Sequence, residues 1–138
     1  MDKKGFTLIE LLAVIVIISI ISMIAVPNAM EMYENTNKKN LLSDANNFIA
    51  LAKEKINANY NLRSLESYTF YLEDLENNNV LANGFNGDNY SELSYVKYLK
   101  EDDIITYCVS LIGDKLSIGR NNCVKESELS IQKVVKNN

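Results

Sequence analysis

Glu10 is the only charged residue in a run that otherwise reads as lipid-facing, FTLIELLAVIVIISIISMIAV, from Phe6 to Val26. A carboxylate among apolar residues serves either as a catalytic acid or as one half of an ion pair. Catalysis needs company, and the chain contains no histidine, the commonest general base and metal ligand. It also shows no glycine-rich phosphate loop, no nucleophile motif and no metal-spaced Cys/His cluster. Pairing is the better reading. A carboxylate at the centre of a spanning helix costs about 2.5–3.5 kcal/mol, so such charges usually have partners. The remaining chemistry-bearing residues lie far downstream. Cys108 and Cys123 are the two cysteines. Asp88, Asp102, Asp103 and Asp114 offer oxygens of the kind that bind calcium, but at no EF-hand spacing. Solvated turn carboxylates are the simpler reading, so neither a metal nor another cofactor is expected.

The element that positions Glu10 is a helix. As a helix, Phe6–Val26 is roughly 31 Å long, close to the bilayer core of about 30 Å. A strand of this length without alternation would leave its backbone unsatisfied in lipid, whereas a helix satisfies its own. Lys3 and Lys4 precede the run, which predicts a cytoplasmic N-terminus with the rest outside. A secretory signal peptide would have a shorter apolar core and a small-x-small cleavage site after it. Pro27 and Asn28 follow instead.

Lys3-Lys4-Gly5-Phe6-Thr7-Leu8-Ile9-Glu10 closely resembles the processing site of type IV prepilins and the related pseudopilins. The resemblance implies cleavage after Gly5 by a membrane aspartyl protease, then N-methylation of the new N-terminal residue, Phe6. It continues to Ala25-Val26-Pro27, where the family often carries a helix-kinking proline. It also supplies a cation. Cleavage leaves a positively charged amine on Phe6, one helical turn from Glu10. By family analogy the carboxylate meets the Phe6 amine of a neighbouring subunit, and the cost of leaving either charge unpaired selects one axial register. The chain departs from the family at Ser19, where many members carry glycine. Serine is the better helix former, which bears on whether the helix loosens on assembly.

Beyond Pro27 the pattern becomes amphipathic. Leu41, Ala45, Phe48, Ala52 and Ile56 mark one helical face, with Asp44, Asn47, Lys53 and Glu54 on the other surface. One bent helix to about Asn57 is expected, with Pro27 as the kink. Residues 58–92 read as a connection with a short helix anchored by Leu72, Leu75 and Val80-Leu81, and with turns at Asn83-Gly84 and Asn86-Gly87-Asp88. Strands are expected over residues 93–99 and 104–112. A hairpin at Gly113-Asp114 leads to residues 115–118, and residues 128–135 form an edge strand or a short helix. Cys108 and Cys123 are expected to form a disulfide outside the cytoplasm; the alternative is a buried free Cys108.

The fold class is therefore α+β: a long bent N-terminal helix packed on a small antiparallel sheet. The expected organisation is a leader at 1–5, an apolar helix at 6–27, and a head at 28–138. The head includes the amphipathic helix 28–57 and a sheet at about 93–135. The resemblance implies no enzyme but a structural subunit of a type IV pilus, a single-pass membrane protein before assembly and part of a surface fibre afterwards. Adhesion and motility would be properties of that fibre. Its partners are other pilin subunits, the prepilin peptidase and the assembly machinery. The alternative is a pseudopilin of a type II secretion or competence DNA-uptake machine. The net charge of −4 and the sparse lysines (Lys97 and Lys100, Lys133 and Lys136) predict no specific nucleic-acid or small-molecule partner. Mass spectrometry of the surface form should show a chain beginning at Phe6 with one added methyl group; intact Met1–Gly5 on assembled material would defeat this reading.

Overall fold

The apolar run and the amphipathic stripe share one helix, α1 (Leu8–Ala58), which continues through Pro27. The structure, a computed structural model, describes residues 5, 7–75 and 89–137. Val80-Leu81 and the two Asn-Gly turns lie outside them. The chain divides into two units, residues 1–35 and 36–138.

In the first unit every described residue from Thr7 to Tyr33 is exposed, and an eighteen-residue window of the helix has a mean hydropathy of 2.9. Pro27 has no N–H to give to the Met23 carbonyl. One residue on, the Asn28 side-chain amide donates to the Ile24 carbonyl at 3.1 Å.

The second unit is built on the helical stripe. Leu41, Ala45, Phe48, Ala52 and Ile56 are each at most 3% exposed, joined by Ile49. Fully burying one such large side chain contributes about 1.5–3 kcal/mol. Asp44 departs from the expected polar surface. It is 2% exposed and accepts a hydrogen bond from the Tyr90 hydroxyl, so its burial is compensated by a partner the helical pattern does not show.

After α2 (Tyr60–Arg63) come strand β1 (Ser67–Tyr71) and a helical turn α3 (Leu72–Leu75). Leu72 and Leu75 are buried, as the anchors of that turn. The sequence reads residues 58–92 as a connection with a short helix; Ser-Tyr-Thr-Phe-Tyr within it nevertheless has the alternation and the aromatic and β-branched content of a strand. Its partner is β2 (Tyr95–Glu101), which pairs in turn with β3 (Ile104–Ile112). Strand β4 (Leu116–Ile118) follows on the far side of β3 and pairs with β6 (Val134–Lys136), while the short β5 (Val124–Lys125) pairs with β3. All these pairings are antiparallel. Residues 128–135 are only partly strand: Ile131–Lys133 is a 3-10 turn, and β6 begins at Val134.

One face of the sheet closes the core. Phe70, Val96, Tyr98, Val109, Leu111, Ile118 and Val134 are buried against the helical stripe. At the margin Lys53 pairs with Glu126 at 2.7 Å and lies 5.3 Å from the centre of the Tyr107 ring. Burial, and after it the nearby Tyr98 and Glu126, push the Tyr107 hydroxyl above its usual pKa.

A disulfide joins Cys108 in β3 to Cys123, with Cα atoms 5.3 Å apart across 15 positions of sequence. The chain-entropy model assigns a closure of this length about 3 kcal/mol. The segment it closes turns at Gly119, where φ is +68° and a Cβ would stand 2.5 Å from the Val109 carbonyl oxygen. Gly119→Ala combines a left-handed backbone penalty of about 1–2 kcal/mol with that clash. It should lower head stability by about 2 kcal/mol or more, a fall of roughly 8–16 °C in Tm. Thermal unfolding in detergent, followed by circular dichroism, measures this; an unchanged Tm would contradict the close packing under Gly119.

Candidate functional site

The residues singled out by chemistry meet where α1 begins. Gly5 is exposed and non-helical, and a Cβ placed on it would meet nothing within 4 Å. The chain's own packing therefore does not demand glycine there. Phe6 lies outside the described residues, so its amine has no geometry here. Thr7 is the N-cap of the helix. Its carbonyl accepts the first intrahelical bond, from the Leu11 N–H at 3.1 Å.

Thr7 and Glu10 satisfy each other's backbone. The Glu10 N–H donates to Thr7 Oγ1 at 3.2 Å, and the Thr7 N–H donates to Glu10 Oε2 at 3.0 Å. This reciprocal pair is a capping box, which removes two of the bare donors that every helix start leaves. It also puts a negative charge at the positive end of the helix dipole. Reading Glu10 only as an ion-pair partner misses Thr7. The signal was present in the sequence, a threonine followed three residues later by a glutamate ahead of an apolar run.

Only Oε2 of Glu10 is used in this way; Oε1 takes no protein donor among the described residues. The carboxylate can therefore cap its own helix and accept a cation at the same time. Further along, the Ser19 hydroxyl donates to the Ile15 carbonyl at 2.7 Å and the Ser22 hydroxyl to the Ile18 carbonyl at 2.8 Å. With Asn28, each polar side chain described beyond the cap in this segment is satisfied four residues back along its own helix, as a low-dielectric setting requires. The helix is intact at Ser19.

Of the acidic residues considered as calcium ligands, Asp88 lies outside the described residues, and Asp102, Asp103 and Asp114 are exposed. Among the described residues no three acids, cysteines or histidines are grouped so as to hold a metal ion.

A family model, the prokaryotic N-terminal methylation motif, matches residues 1–26. Those residues carry the leader signature of type IV pilins and pseudopilins. The match spans the capping box and the exposed apolar helix, and the α+β architecture with its small antiparallel sheet accords with a type IV pilin-like fold. Comparison with curated proteins and with solved structures yields no match. The signature is that of structural subunits rather than enzymes, and together with the long apolar N-terminal helix it suits a membrane-anchored precursor. In general it implies assembly with other pilin subunits and processing by a prepilin peptidase.

Thr7→Val keeps the shape of the side chain but removes the hydroxyl that accepts from Glu10. An N-cap of this kind is worth about 1 kcal/mol. The Glu10 amide should then exchange with solvent about fivefold faster in detergent-solubilised precursor, with exchange in β2 and β3 unchanged. Equal rates in the two proteins would show that the cap contributes nothing.

Proposed function

We propose that this chain is a structural subunit of a type IV pilus. The peptidase removes residues 1–5 by cutting after Gly5, Phe6 is methylated, and residues 6–27 form the helical core of the fibre, with residues 28–138 as its head. One observation carries the reading: the leader signature at residues 1–26 covers the start of a helix that, from Leu8 to Val26, is exposed and, apart from Glu10, Ser19 and Ser22, apolar. Such a surface is covered by lipid before assembly and by other apolar helices afterwards.

The charge geometry supports the same sequence of events. In the unassembled precursor Glu10 is partly neutralised by its own helix start, which lowers the cost of holding it near lipid. Cleavage creates an amine on Phe6, and Glu10 Oε1 receives the amine of a neighbouring subunit. The unconstrained surroundings of Gly5 support a constraint from the peptidase, which must fit the residue at the cut. The Cys108–Cys123 bridge supports a head outside the cytoplasm, since disulfides persist in oxidising compartments.

Glu10→Val tests the assembly role. The variant is more lipid-like and should still insert and be cut after Gly5. It leaves the incoming amine without a partner, and breaking a buried pair in this way costs about 3–5 kcal/mol. The ratio of processed subunit in sheared surface filaments to that in membranes should therefore fall by about tenfold or more. An unchanged ratio would remove the assembly role from Glu10. Processed wild-type subunit confined to the envelope, with no filament to shear, would favour the pseudopilin reading instead.

A further inference from the structure

Among the described residues, the head sheet leaves two strand edges whose own residues carry no charge. On one side β3 is covered by β2 from Ile104 to Ser110. On the other side β5 takes up Cys108 and Val109, and β4 takes up Leu111 and Ile112. Residues 104–107 have no strand on that side among the described residues.

The register shows which groups point outward. Asp102 and Asp103, with φ of 51° and 62°, form a two-residue loop closed by the pair Glu101–Ile104. Positive φ at both positions marks a type I′ hairpin, in which the closing pair exchanges both hydrogen bonds. Alternation then turns the N–H and C=O of Ile105 away from β2. The phase agrees with Lys100, the partner of Ile105, whose N–H goes the opposite way to the Glu66 carbonyl at 2.7 Å. Carried into β1, the same phase turns Ser67 and Thr69 outward. Tyr71 shares it but gives its N–H to Asp74 Oδ2 at 3.0 Å, which closes that end.

Sheets usually blunt such edges with lysine, proline or brevity. The β6 edge follows that rule, with three residues and lysines at 133 and 136. Residues 67–71 and 104–107 have no charge, proline or glycine, and Ile104 and Ile105 are 66% and 47% exposed. The two edges lie on opposite sides of the β1-β2-β3 order. We infer that β1 of one copy adds to residues 104–107 of β3 in the next, continuing the sheet from head to head. This rests on the fibre reading.

Placement decides for a second copy. Contact between opposite edges is heterologous, so it propagates rather than closing into a dimer, as a fibre requires. It is also small: four residues span about 13 Å and bury far less than the roughly 1,200 Å² of a stable free complex. It forms only where another interaction already holds copies side by side at high effective concentration. The apolar helices supply that in a fibre, and dispersed subunits in detergent do not.

Amide hydrogen exchange on sheared wild-type fibres and on detergent-solubilised subunit tests the contact. The Ile105 and Thr69 amides should exchange at least about tenfold more slowly in fibres, while Val109, inside the sheet, is protected in both. Ile105→Lys should abolish the added protection at Thr69, on a different strand, and leave Tm of the solubilised subunit unchanged. Equal exchange at Ile105 in the two states, with the apolar helix protected in fibres, would overturn the edge contact and leave the fibre reading standing. Slowing at Ile105 without slowing at Thr69 would overturn β1 as the partner. If wild type forms no fibre, the fibre reading fails first and the edge contact falls with it.

Discussion

An apolar helix surface that its own chain does not cover sets the terms for the rest of this protein. The large side chains from Leu8 to Val26 are between 48% and 87% exposed. At roughly 25 cal/mol per Å², leaving that surface in water costs on the order of tens of kcal/mol, more than the net stability of a typical domain. Lipid or other apolar helices are the surroundings that remove this cost. Either setting is poor in water, so every polar group along it needs an internal partner. That requirement accounts for the Thr7–Glu10 box and for the back-bonds of Ser19, Ser22 and Asn28.

The second unit answers a different constraint, that of a small fold that must bury one helical stripe under one face of a sheet. The stripe from Leu41 to Ile56 and one face of the sheet supply its core. Covalent and polar ties hold the C-terminal part, where burial is thinner. The disulfide fastens the segment before β5 to β3. Asn137 fastens the last strand: its N–H donates to the Lys115 carbonyl at 2.8 Å, and its side chain accepts from the Ser117 hydroxyl at 2.7 Å. Buried Asp44 with Tyr90 ties the helix to the segment entering β2. Among the described residues, the outer side of β1 and the first part of β3 are left without a strand partner.

Strong, local signals were legible in the chain. The apolar run, the 3.6-residue stripe and the β-branched strand over residues 104–112 each rest on periodicity over many residues, and the elements appear where that periodicity places them. Weaker local signals went unread although they were present. β1 is only five residues long and follows a polar connection, and the Asp102-Asp103 hairpin uses aspartates where Asn-Gly is the stronger cue. Thr7 was overshadowed by its more conspicuous neighbour Glu10. Asp44 could not be read at all, because a lone acid on a helix looks solvated until its distant hydrogen-bond partner is known.

What the sequence determined by itself is the N-terminal half of the story. The leader, the glutamate and the apolar helix act within a few turns of one another, so their chemistry is set by spacing along the chain. Tertiary structure decided what depends on contacts between distant residues. It brought Tyr90 to Asp44, Glu126 to Lys53 and Cys123 to Cys108, and it ordered the strands so that β1 and the first part of β3 are left as opposite edges. A strand's hydrogen-bonding side depends on its register with its neighbours, and no local pattern of side chains encodes which edge remains open.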